Sequence, residues 1–140
     1  MLAEIERHGG VEIIIQGIAA SAASLIAIGG AKIAMHPAAV FMIHEPASIS
    51  FGSSLAHHKN AETLEKLTEV YAGAYSRASG NPLDLIKQWM AEETWLDADE
   101  AVALNFWIRL WVIPIAKFCR LLHLTTPNSR SRQSCSLTSQ

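Results

Sequence analysis

The chain has 140 residues, half of them hydrophobic, with few charges and a formal net charge of −2. Such a composition fits one ordinary globular domain with a single core. It gives little support to a nucleic-acid binder, because no run of basic residues falls on a segment that reads as folded. The two cysteines, Cys119 and Cys135, have no metal-ligand spacing, so no metal or other cofactor is expected and a reduced, cytoplasmic setting is.

Leu2 to His8 reads as the last turns of a helix, stopped by Gly9-Gly10. Glu4, Glu6 and Arg7 interrupt the opening apolar residues, so no signal peptide is expected. Val11, Ile13, Ile14 and Ile15 form a short β-branched run, which predicts a strand buried on both faces of a parallel sheet. A helix feeding such a strand is half of a crossover unit, so the strands that should precede it are expected to be missing.

Gly17 breaks the strand. Ala19 to Ser24 then carries almost no side-chain bulk and leads into Leu25, Ile26 and Ile28. Small residues let a helix start close to a sheet, and a serine at a strand-to-helix turn exposes its hydroxyl. Ser21 therefore occupies the place of a nucleophile elbow. The G-x-S-x-G pattern is absent, since Ala19 and Ala23 stand at its glycine positions. Taken alone, Ser21 fits a helix cap better than a nucleophile. Gly29-Gly30 ends the helix, and Ala31 to Met35 and Ala39 to Ile43 are two more short strands. His44 ends the second of them. Strand ends are where α/β folds form sites, and a serine and a histidine at two such ends can act as acyl-transfer partners. Taken alone, His44 fits a structural histidine better.

Ser54 to Ser79 is the clearest helix, with Leu64, Leu67, Tyr71, Ala74, Tyr75 and Ala78 as its apolar stripe. Its charges read as a solvated face, with Glu62 and Lys66 spaced for an ion pair. His57 and His58 are adjacent and diverge, so they read as surface residues. Gly80-Asn81-Pro82 stops the helix, and Pro82 starts another through Met90. Asp97 and Glu100 have the spacing of a capping box for a last helix.

The segments Gly17-Ile18-Ala19-Ala20-Ser21, Met42-Ile43-His44-Glu45-Pro46 and Glu93-Thr94-Trp95-Leu96, followed by Glu100-Ala101, together resemble the Clp protease proteolytic subunit family. The closest likeness is to its phage and prophage branch of head maturation proteases, and it covers Leu2 to Asn105. The resemblance implies an α/β Clp/crotonase-type fold: a mostly parallel sheet flanked by helices, here lacking its first strands. It implies that Ser21 is the nucleophile, His44 the general base and Glu93, where the family usually has aspartate, the third triad member. Glu92 is the fallback, and a surface carboxylate remains the plain alternative for Glu93. The N–H of Ala22 would be one oxyanion-hole donor. The family's second donor comes from an upstream Gly-Gly loop. Gly9-Gly10 follows a helix and lies too near Ser21 to be that loop.

The implied partners are a polypeptide substrate and further copies of the chain in stacked rings. An ATPase unfoldase belongs with the housekeeping branch, and capsid or scaffold protein with the phage branch. The chain contains no P-loop of its own. Residues 1–105 are expected to form a partial peptidase domain. Residues 106–140 differ abruptly: all thirteen acidic residues lie at or before Glu100, while five of the eleven basic ones follow it. This tail is expected to be atypical, poorly ordered and Ser-rich at its end, and its apolar part is broken by Arg109, Pro114, Lys117 and Arg120, so no membrane span is expected. Two functions remain open: a serine endopeptidase, or a catalytically inactive remnant serving as an assembly protein.

Overall fold

The computed structural model describes residues 1–106 and 108–110. The elements in order are α1 (Leu2–His8), β1 (Glu12–Ile15), β2 (Ile18–Ala20), α2 (Ala22–Ala27), β3 (Lys32–Met35) and β4 (Val40–Ile43), then α3 (Ser54–Ser79), α4 (Leu83–Ala91), β5 (Thr94–Leu96), α5 (Ala98–Ala103) and β6 (Ile108–Leu110). The strands form two three-stranded sheets, ordered β1-β3-β6 and β2-β4-β5. Every pairing is parallel except that of β4 with β5. This is the expected α/β class, a mostly parallel arrangement with flanking helices, divided between two sheets.

Position within a sheet decides which strands are buried. The central strand β4 has Phe41, Met42 and Ile43 all buried. By contrast β1 lies at an edge among the described residues, and Ile14 remains 44% exposed. The expectation that the β-branched run is buried on both faces is therefore not met. Its partner on only one side leaves one surface of β1 uncovered, and only Ile15 is fully buried.

Two strands of the second sheet were not anticipated from the sequence. Gly17 does not end the first sheet segment for good: the chain turns at Gln16-Gly17 and resumes as β2 beside β4. Thr94-Trp95-Leu96 pairs antiparallel with β4, with Phe41 opposite Leu96 and Ile43 opposite Thr94. Both strands have only three residues, too few to display a period of two.

The core gathers Met35, Phe41, Ile43, Tyr75, Ile86, Met90 and Phe106. Phe106 is wholly buried, its ring centroid 5.2 Å from that of Phe41 and 6.3 Å from that of Tyr75. It arrives there through a specific chain reversal. Asn105 adopts φ 58°, and the N–H groups of Asn105 and Phe106 donate to the carbonyls of Val102 and Ala101. That pair of bonds is a Schellman closure of α5, which commonly buries the apolar residue that follows. The strand β6 then pairs in parallel with β3. Ordered structure thus continues past Asn105, where the compositional break suggested that the domain stops; residues 111–140 lie outside the described residues.

The helix α3 matches its expected bounds, and Gly80 follows it at φ 73°. Its burial is uneven. Ala72, Ala74, Tyr75 and Ser79 are buried, whereas no residue from Ser54 to Tyr71 is. The Glu62–Lys66 pair is not formed; Glu69 instead receives Lys87 of α4 at 2.6 Å. His57 and His58 are exposed, and His57 bonds Ser50 of the preceding loop. The capping box forms as expected, with Glu100 N–H on Asp97 and Asp97 N–H on Glu100.

Candidate active site

The site is assembled by one parallel ladder. Ile18, Ala19 and Ala20 of β2 pair with Val40, Phe41 and Met42 of β4, and the Ser21 N–H extends the pairing to the Met42 carbonyl at 3.2 Å. Parallel strands end on the same side. Ser21 leaves β2 there, and His44 leaves β4 two residues past Met42. The His44 Nε2 stands 2.8 Å from the Ser21 Oγ. Both residues are half-buried.

Ser21 has φ 56° and ψ −120°, a conformation that L-residues with a side chain rarely adopt. A strand-to-helix turn strained in this way has the shape of a nucleophile elbow, and the conformation costs of order 1–3 kcal/mol. The side chain does not cap α2, which removes the capping role as the reason for a serine at this position. Ala22 is the first residue of α2, and its N–H is one of those that a helix leaves without an internal acceptor.

Beneath this turn lies a buried polar chain. Ser24 Oγ donates to the Ser21 carbonyl at 2.7 Å and meets the Tyr75 hydroxyl at 2.7 Å; the Tyr75 hydroxyl also approaches the Ser21 carbonyl at 3.4 Å. The Leu25 N–H donates to the same carbonyl at 3.2 Å. Ser24 and Tyr75 are both almost completely buried. Burial pushes the Tyr75 phenol up to about 12, with the Ser24 bond opposing that rise. Neither residue stood out in the sequence as part of the site. Tyr75 read as one more member of an apolar stripe; the only clue was a buried phenol needing a partner, with Ser24 one helical turn past Ser21.

Glu93 is exposed at φ 52°, just before β5. The β4–β5 ladder ends one residue after it, at the Ile43–Thr94 pair. The Glu93 carboxylate accepts from the Trp95 indole at 3.1 Å, and among the described residues no hydrogen bond joins it to His44. Glu92 is also exposed, and its carboxylate accepts from Gln88. The structure thus joins Ser21 with His44 and leaves both carboxylates engaged elsewhere. The cleft of about 340 Å³ lined by Glu45, Leu64, Glu65 and Lys87, among others, includes neither Ser21 nor His44.

A family model described as Clp protease matches residues 5–106. The chloroplastic ATP-dependent Clp protease proteolytic subunit 1 of Arabidopsis thaliana is 38% identical over 96 residues, covering 66% of this chain and 49% of that protein. The ATP-dependent Clp protease proteolytic subunit of Aethionema cordifolium is 36% identical over 96 residues, with the same shares. That of Chloranthus spicatus is 36% identical over 96 residues, covering 66% of this chain and 48% of the relative. The chain spans about half the length of the curated relatives it matches. The match of the Clp protease model to residues 5–106, well over half of the 140 residues, shows that the chain belongs to the Clp protease family.

Proposed function

We propose that the chain is a serine endopeptidase acting through Ser21. The observation that carries this reading is the 2.8 Å contact between Ser21 Oγ and His44 Nε2, made by a serine on a strained turn. His44 takes the hydroxyl proton as Oγ adds to a peptide carbonyl. The Ala22 N–H faces the oxygen that becomes negative. Collapse of the tetrahedral intermediate expels the amine, which receives the proton from His44. Water then adds to the acyl-enzyme by the same route and frees Ser21. Glu93 is the proposed carboxylate behind His44, and it would have to leave the Trp95 indole to serve.

The substrate is polypeptide, and the working form is a ring of several copies in the cytoplasm. The likeness to the phage branch favours capsid or scaffold protein as the substrate. The names of the plant relatives, ATP-dependent proteolytic subunits, favour a polypeptide whose cleavage depends on ATP, as with an ATPase unfoldase partner. Turnover of a disordered polypeptide without ATP, set against turnover of a folded one, separates these sources.

One observation favours a second reading, an assembly protein without activity: the carboxylate expected behind His44 is held by Trp95 instead. Labelling of the full chain with a fluorophosphonate probe decides between the two. Labelling lost in both Ser21→Ala and His44→Ala supports the peptidase. A folded chain that stays unlabelled supports the assembly protein.

A further inference from the structure

The polar chain under the nucleophile has a geometric effect on the peptide that follows it. We infer that Ser24 and Tyr75 are positioning residues that fix the Ser21–Ala22 peptide so that the Ala22 N–H is turned toward the reacting carbonyl. The inference rests on the peptidase reading and extends it.

A peptide unit is planar, and no cis bond occurs among the described residues. In a trans unit the C=O and the N–H point in opposite directions. Whatever pins the Ser21 carbonyl therefore also aims the Ala22 N–H. Two donors reach that oxygen, Ser24 Oγ at 2.7 Å and Leu25 N at 3.2 Å, and the Tyr75 hydroxyl lies 3.4 Å from it. Each hydroxyl carries one proton. If Ser24 donates to the carbonyl, Tyr75 is left to donate to Ser24 across their 2.7 Å contact, and the bonds run in one direction from α3 to the elbow. Ser24 is fully buried and Tyr75 is 1% exposed, so water does not compete for these positions.

The elbow needs such an anchor. At φ 56° and ψ −120° the Ser21 backbone is strained, and strained peptides persist only where their surroundings hold them. The Leu25 bond is the ordinary first bond of a helix and would tolerate a tilt of the peptide plane. The Ser24 hydroxyl adds a second direction from α2 itself, and Tyr75, from α3 and 51 residues further along the chain, holds that hydroxyl in place. Oxyanion donors act by preorganisation, so a tilted N–H loses transition-state stabilisation without weakening substrate binding.

The test uses the full chain, with Ser24→Ala and with Tyr75→Phe, which keeps the ring and removes only the hydroxyl. Two quantities are read. One is the Ala22 amide resonance in chain labelled with ¹⁵N-alanine. The other is peptidase kinetics together with the rate of fluorophosphonate labelling against pH. We expect the Ala22 resonance to move in both variants while the alanine amides of α3 stay in place. We expect kcat and the labelling rate to fall about tenfold or more, with KM and the shape of the pH profile unchanged, because the Ser21–His44 pair is untouched. An unmoved Ala22 resonance, or an unchanged rate, overturns the inference. If Ser24→Ala does not fold, Tyr75→Phe decides by the same two readings. A wild-type chain that neither labels nor cleaves overturns the peptidase reading alone, and the Ala22 resonance still decides whether the hydroxyls fix the peptide.

Discussion

The Tyr75 phenol keeps its proton far into alkaline solution, and this makes its burial measurable. Its pKa rises in the folded chain from 10.0 to about 12, chiefly through burial. The folded state therefore holds the proton more tightly than the unfolded chain does. The associated stability is complete below about pH 10 and is lost as the pH climbs toward 12. A shift of that size corresponds to about 2–3 kcal/mol. Denaturant unfolding between pH 9 and 12 should show this decline in the wild type and a shallower one in Tyr75→Phe; parallel curves would contradict it. Ser21 offers a second residue-level test. With no Cβ to strain the turn, Ser21→Gly should be more stable than Ser21→Ala by about 1 kcal/mol, although neither can react. Equal melting temperatures would show that the elbow carries no strain. Glu93 supplies a third. If the Trp95 indole withholds the carboxylate from His44, Trp95→Phe should raise the fluorophosphonate labelling rate and Glu93→Gln should lower it. A rate indifferent to both changes would remove Glu93 from the site.

Among the elements, α5 shows how a short helix can decide the reach of a core. Its start was readable in the residues, because Asp97 and Glu100 satisfy each other's backbone N–H groups and little else is needed. Its end was not. Asn105 tolerates a left-handed backbone, and the two bonds of the Schellman closure deliver Phe106 between Phe41 and Tyr75. Nothing local distinguishes that phenylalanine from the apolar residues that follow it, and the change in charge balance after Glu100 pointed the other way. Phe106→Ala should cost about 3–5 kcal/mol in equilibrium unfolding. A loss below 1 kcal/mol would place Phe106 outside the core. Other elements divide on the same lines. The long helix α3 was recognisable because its stripe repeats over many turns and Gly80 stops it. The strands β2 and β5 were not, because three residues carry no period, and their pairing with β4 is a tertiary fact. The Ser21–His44 pairing was suggested by order and resemblance, and the two side chains are in contact, whereas the bond of Tyr75 to Ser24 exists only where α2 meets α3.

Across the whole molecule, one region projects beyond the core. A helix of 26 residues is about 39 Å long. The fully buried residues of α3 all lie at its C-terminal end, and Ile49, Phe51 and Leu55 are strongly exposed at its entrance. A helix stabilised mainly by packing is weakest where packing is absent. Association through this end is the expected remedy. Light scattering should show concentration-dependent assembly of the full chain, reduced in the double variant Phe51→Asp, Leu55→Asp. A monodisperse monomer at all concentrations would count against it. Among the described residues no helix is long and apolar enough to cross a membrane, so the exposed side chains are not part of a helical span.

The ladder that joins β2 to β4 has a consequence for how such a site tolerates change in length. Ser21 and His44 are held together by strand pairing, and the chain between them makes an excursion through α2, β3 and the exposed turn at Pro37-Ala38. Nothing in that pairing registers how long the excursion is. Extra residues inserted at Pro37-Ala38 would leave the serine and histidine in contact, provided that Val40 still enters the ladder beside Ile18. Two chains could thus share this arrangement while disagreeing on the number of positions between its reacting groups.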